Sequence, residues 1–149
     1  MSNLHALSVA VDQATRVRDN ARLALQDAQA AQQASRAQLE QLEGYARETE
    51  TRWGVRENAT MQPQVMYHHY QFMDRLGHAA GMQTGVVDGH AGKVEASRLL
   101  LLQAELRLAS LCKVVDKRNK DVALQQMRRD QKQTDERASL KYRPSGQEH

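Results

Sequence analysis

The side chains best suited to chemistry are few and scattered along the chain. Six histidines stand at positions 5, 68, 69, 78, 90 and 149, beside a single cysteine, Cys112. A metal site needs several His, Cys or acidic ligands converging at helical spacing, and no such set shares one face here. His68 and His69 are adjacent, so on a helix they point apart. Gly77, Gly81, Gly85 and Gly89 recur at every fourth residue, with Gly92 following, yet no Gly-Lys-Ser/Thr ending makes them a phosphate-cradling loop. The chemistry that remains is charge. Between Lys113 and Arg143 lie ten Lys and Arg against five acids, leaving +5, whereas the first 112 residues hold eleven basic and twelve acidic residues.

The elements that carry these residues follow from composition. Among 149 residues there are sixteen Leu, eleven Val and one Phe, with no Ile, so under one fifth of the chain carries most of the burying power. Ala, Gln, Leu and Arg, all good helix formers, dominate instead. With two prolines, Pro63 and Pro144, and so few strand-forming residues, sheets and barrels are excluded. The fold class expected is all-α, with long helices meeting along narrow seams. Catalysis is not expected, because a two-helix rod offers no enclosed pocket, and neither a cofactor nor a metal is implied. One cysteine excludes an intrachain disulfide framework and suits a reducing cytosol. The N-terminus lacks the features of a signal peptide, and the longest aliphatic run, Leu99 to Leu102, is far short of a membrane span. A non-inserted chain is expected, reaching any membrane through a partner.

The seam can be read residue by residue. Alternate steps of three and four give Leu4, Leu7, Val11, Ala14, Arg18, Ala21, Leu25, Ala28, Gln32, Ser35, Leu39, Leu42 and Ala46, with Trp53 in the same phase. A period of 3.5 over six heptads predicts a coiled coil. Gly54, Asn58 and Pro63 then mark a break. A second seam runs Phe72, Leu76, Ala79, Gln83, Val86, His90, then Val94, Ser97, Leu101, Ala104, Leu108, Leu111 and Val115. The doubled four-step around His90 reads as a stutter. The expected architecture is one domain over residues 1–149: a long antiparallel two-helix coiled-coil hairpin with a protruding C-terminal helix. Helix one covers about 3–52, the connector about 53–63, helix two about 64–139, and a flexible tail 140–149. Folding about residue 58 sets Leu4 opposite Cys112 and leaves about 25 residues, ~40 Å of helix, without an intrachain partner.

That overhang carries all the excess charge. It is either a solvated helix with internal ion pairs or a positive spike that enters an acidic protein surface or touches nucleic acid. Nucleic acid is the weaker partner, since past Val115 the only aromatic is Tyr142 and acids are interspersed. The glycine row reads as a hinge, as a groove where another helix comes close, or as a frayed connector between two helices.

Three local patterns carry a resemblance. They are Gln38-Leu39-Glu40-Gln41-Leu42-Glu43-Gly44-Tyr45, then Tyr70-Gln71-Phe72-Met73-Asp74-Arg75-Leu76, and Asp130-Gln131-Lys132-Gln133-Thr134-Asp135-Glu136-Arg137-Ala138 before a short basic tail with a proline. In this order and spacing the chain resembles the FliJ family, the small coiled-coil component of the bacterial flagellar type III export apparatus. The resemblance implies a non-enzymatic protein similar in shape to the central stalk of rotary ATPases. It implies binding to and stimulation of the flagellar export ATPase ring, through the end where both termini lie. It implies contact with the export-gate membrane protein and with flagellar export chaperones, in support of flagellum assembly, motility and chemotaxis. The implied location is cytoplasmic, peripheral at the inner membrane. Gate-binding positions would be Gln38, Leu42, Tyr45, Phe72, Leu76 and Ala79. An aromatic that family members carry one turn after the Tyr is Thr49 here, and a His after the Phe-Leu-Ala row is Gln83. ATPase binding would fall to the basic segment, through Lys113, Lys117, Arg118, Lys120, Arg128, Arg129 and Lys132. The other reading of the whole is a generic coiled-coil adaptor or nucleic-acid-associated rod.

Read from the residues alone, Leu42, Phe72, Leu76 and Ala79 are seam positions, whereas Gln38 and Tyr45 lie off the seam register. Tyr45, Trp53, Tyr67, Tyr70 and Phe72 gather toward one end. Aromatics bring large contact area at low entropic cost, so an off-seam Tyr near a bend suits a contact anchor.

Overall fold

A computed structural model describes residues 2–56 and 62–142. Two helices account for nearly all of them: α1, Ser2–Arg56, and α2, Pro63–Lys141. No strand occurs among the described residues. α1 continues through Trp53 and Gly54, which the sequence had assigned to the connector; one glycine costs a helix only about 1 kcal/mol, too little to end it. The expected bend at Asn58 lies outside the described residues, as does the tail beyond Tyr142. Pro63 takes the first helical position, where it gives up no helix bond. The Gln62 carbonyl starts the helix by accepting from Val65 N at 3.1 Å and Met66 N at 3.3 Å. α2 runs two residues past the expected Ser139, and Tyr142 N still reaches Ala138 O at 3.1 Å.

All thirteen positions of the first seam are buried or half-buried, and so is Trp53. The seam's polar members are satisfied at home. Ser35, fully buried, donates its hydroxyl to the Gln32 carbonyl at 2.8 Å, and Arg18 directs Nε and Nη2 onto Asp19 Oδ1 at 3.0 and 2.8 Å. The fully buried residues are small ones, Ala14, Ser35, Val94 and Ala104, so the helices meet closely over little apolar area.

The second seam differs in phase from the sequence reading. Phe72 and Val86 are exposed, and their neighbours Met73 and Val87 are half-buried instead. With that change the covered positions run His69, Met73, Leu76, Ala80, Gln83, Val87, His90, Val94, Ser97, Leu101, Ala104, Leu108, Leu111 and Val115. The steps alternate four and three throughout, so the stutter is absent. Val87→Ala should therefore cost about 1 kcal/mol of stability, against a change within about 0.5 kcal/mol for Val86→Ala. Thermal melts of the two variants check this, and equal costs would restore the stuttered phase.

Gly77 through Gly92 are helical, and none of the described glycines has a positive φ. The frayed-connector reading is overturned.

The chain divides into two compact units. In the unit Arg18–Ala104, antiparallel pairing is fixed by cross-helix contacts that run backwards along α2: Ser35 with Gln83, Tyr45 with Phe72, Trp53 with His69. In the unit made of Met1–Val17 and Glu105–His149, Ala14 is buried, and Leu4, Leu7, Val11, Leu108, Leu111 and Val115 are half-buried. From Asp116 to Tyr142 every residue is exposed, so α2 goes on for ~40 Å with nothing packed on it.

Candidate functional site

Within the unit Arg18–Ala104, the aromatics of the two helices come together. Tyr45 meets Phe72 edge to face, with ring centroids 5.9 Å apart and planes at 81°. That geometry sets a positive ring edge against a negative ring face. Both rings remain open to solvent, Tyr45 at 51% and Phe72 at 40% exposure. Such aromatics would normally turn inward, and in a chain with only six Phe, Tyr and Trp their exposure is costly unless a partner covers them.

Tyr45 separates two concave surfaces. On one side a groove of about 450 Å³ is lined by Gln38, Gln41, Leu42, Tyr45 and Gln83. On the other a groove of about 400 Å³ is lined by Thr49, Arg52, Trp53, Val65, His68, His69 and Phe72 along with Tyr45. Gln83 shapes the first. Its amide nitrogen donates to the Ser35 carbonyl at 2.9 Å and to Gln38 Oε1 at 3.1 Å, tying α2 to α1 and holding Gln38 at the groove edge. In the second, the His69 imidazole lies flat on the Trp53 indole, with centroids 3.8 Å apart and planes at 2°. His68 points away to the groove wall and contacts Tyr67 edge-on at 6.0 Å. The second groove carries Arg52 and two histidines and no carboxylate.

Six residues were expected here, and they divide by burial. Leu42, Leu76 and Ala79 are half-buried and serve hairpin packing, while Gln38, Tyr45 and Phe72 are exposed. Phe72 is thus not the seam residue that its spacing suggested. Met73 takes that place, and Phe72 is free to face a partner. Sequence reasoning set Gln83 and Thr49 aside as departures from a family pattern and gave no role to His69 or Arg52. The adjacency of Trp53 and His69 was foreshadowed only by their shared seam phase.

The basic residues Lys113, Lys117, Arg118, Lys120, Arg128, Arg129 and Lys132 are all exposed on α2, in the other unit. At 100° per residue the seven fall within half of the helix circumference, and Asp116 and Asp130 lie on the other half. Two ion pairs form among the described residues, Arg18–Asp19 and Glu95–Arg98, and neither touches this segment. Asp130 instead accepts from Gln126 at 3.3 Å. Val122, Leu124 and Met127 are exposed among the bases. Among the described residues, no group of three or more His, Cys, Asp or Glu is arranged to hold a metal ion. No described helix is long and apolar enough to cross a membrane.

A helical hairpin whose grooves are open and whose aromatics and bases face outward is a protein that presents side chains to partners. The flagellar FliJ protein family matches residues 3–147, and the chain belongs to that family. No curated protein matches it. Among solved structures, a putative YscO homolog from Chlamydia trachomatis superposes with a TM-score of 0.73, covering 100% of this chain and 96% of that one at 15% identity. At that identity the likeness is one of fold.

Proposed function

We propose that the chain is a non-enzymatic component of the flagellar protein export apparatus, joining the export ATPase ring to the export gate. Membership of the FliJ family over nearly its whole length supports the placement in flagellar export. The observation that carries the finer reading is that two exposed surfaces of different chemistry lie in different units. The groove surface around Tyr45 and Phe72 takes the export-gate protein, using Gln38, Leu42, Tyr45, Phe72, Leu76 and Ala79. The bare basic stretch of α2 takes the ATPase, with Lys and Arg steering the approach and Val122, Leu124 and Met127 buried in the complex. Export chaperones dock on the same protein, and the chain works at the cytoplasmic face of the inner membrane, held there by its partners.

The gate surface is tested by separating contact from packing. Tyr45→Ala should weaken binding to the cytoplasmic part of the gate protein by about tenfold or more, as loss of an interface aromatic does, with the melting curve nearly unchanged. Leu42→Ala should cost about 1–2 kcal/mol of stability, because a half-buried seam leucine is lost. Calorimetric binding and circular dichroism on both variants distinguish the roles. Equal destabilisation by the two would show that Tyr45 is a packing residue.

A further inference from the structure

The outer face of α2 has a pattern that no contact within the chain explains. Gly77, Gly81, Gly85, Gly89 and Gly92 are exposed, and a Cβ at any of them would meet nothing within 4 Å. Each weakens the helix relative to Ala, and the monomer has no steric need for any of them. Further along the same face Leu99 and Leu102 stand exposed, at 53% and 50%, while Leu101 between them is covered by the seam. The residues follow a rule. Gly81, Gly85, Asp88, Gly92, Glu95, Leu99 and Leu102 succeed one another by steps of four and three, on the side of α2 opposite Gln83, Val87, His90, Val94, Ser97 and Leu101. This is a second heptad stripe, apolar at one end and notched at the other, with no helix lying on it.

We propose that a second copy of this chain covers the stripe, the two α2 helices packing antiparallel about a twofold axis beside residue 90. In that register Leu99 of each copy enters the notch at Gly81 of the other, and Leu102 enters beside Gly77. Knobs at one end of the stripe and notches at the other make it complementary to itself only when the copies run in opposite directions. The charges agree. Asp88 of each copy comes beside Lys93 of the other, giving two opposite-charge contacts related by the twofold axis, and Glu95 faces the bare Gly85. The stripe uses neither the Tyr45–Phe72 surface nor the basic segment, so this association is independent of the function proposed above. With two leucines per copy it is reversible and depends on concentration.

The register gives a direct test in the full-length chain with the exposed Cys112 changed to Ser. Gly81→Cys and Leu99→Cys combined place two thiols ~27 Å apart along one helix, beyond disulfide reach, so a bond between them must join two chains. Mild oxidation should convert the double variant to covalent dimer, with at least about tenfold less dimer from either single change. Equilibrium sedimentation should show monomer and dimer in exchange, and Leu99→Asp should raise the dimer dissociation constant about tenfold or more at unchanged helix content. Gly81→Leu should weaken the dimer similarly while raising the melting temperature, which separates loss of the notch from loss of the fold. A chain that sediments as monomer at every concentration overturns the proposal. So does cross-linking of the single variants as efficient as that of the double, or a dimer that Gly81→Leu leaves unchanged.

Discussion

A chain truncated after Cys112 is expected to lose all stimulation of the export ATPase while keeping its gate binding. The cut removes every one of the ten Lys and Arg from Lys113 onward, together with Val122, Leu124 and Met127. It takes only one half-buried side chain, Val115, from the hairpin, since all described residues beyond that point are exposed. The unit Arg18–Ala104, with Tyr45, Phe72 and the Gln83 tie, is untouched. Circular dichroism should therefore show loss of helix in proportion to the residues removed, with a melting temperature close to that of the full chain. ATP hydrolysis by the ATPase should return to its basal rate. Full stimulation by the truncated chain would refute the role of the basic segment. Retained stimulation with lost nucleic-acid binding would favour a nucleic-acid-associated rod.

Replacing Gly77, Gly81, Gly85, Gly89 and Gly92 together by Ala should stabilise the chain by about 4–5 kcal/mol, at roughly 0.8–1 kcal/mol for each position. All five are helical, none has a positive φ, and each added Cβ enters open space, so no steric loss offsets the gain. A rise in melting temperature of about 10–20 °C is expected for a chain of this size. The melt belongs at low protein concentration, where association adds nothing. An unchanged or lowered melting temperature would show that these glycines are needed by a conformation other than the straight run of α2.

The first seam was fully legible because its apolar positions offer one track. Between Leu4 and Ala46 a 3.5-residue period selects thirteen positions, and the structure covers them all. The second seam was ambiguous because α2 presents adjacent pairs at Phe72 and Met73, Ala79 and Ala80, and Val86 and Val87. Hydrophobicity cannot choose between two valines side by side. An unbroken alternation of three and four chooses Val87 and Met73, and requiring that regularity would have removed the stutter. Gly54 misled in the same way, since a local helix breaker is weak against a helix held by its seam.

The site was legible by residue type and not by geometry. Tyr45 stood out as off the seam, and it is exposed as that register implies. Phe72 was assigned to packing and instead pairs with Tyr45 at the surface. The bond from Gln83 to the Ser35 carbonyl spans 48 residues of sequence, and only the register of the finished hairpin brings the two within reach. The stacking of His69 on Trp53 depends on that register too. The basic half-circumference of α2 was readable from spacing, but the absence of ion pairs there, among the described residues, required side-chain positions.

The central claim is that one chain holds two partners through separable surfaces. The most direct test measures binding of the full chain, of Tyr45→Ala, and of Arg128→Glu with Arg129→Glu, each against the export ATPase and against the cytoplasmic part of the gate protein. A crossed result is expected. Tyr45→Ala should lose about tenfold or more in affinity for the gate and none for the ATPase. The charge-reversed chain should associate more slowly with the ATPase, with a weaker dependence on salt, and bind the gate as before. If both variants weakened the same partner, or neither weakened any, the two-surface account would be contradicted.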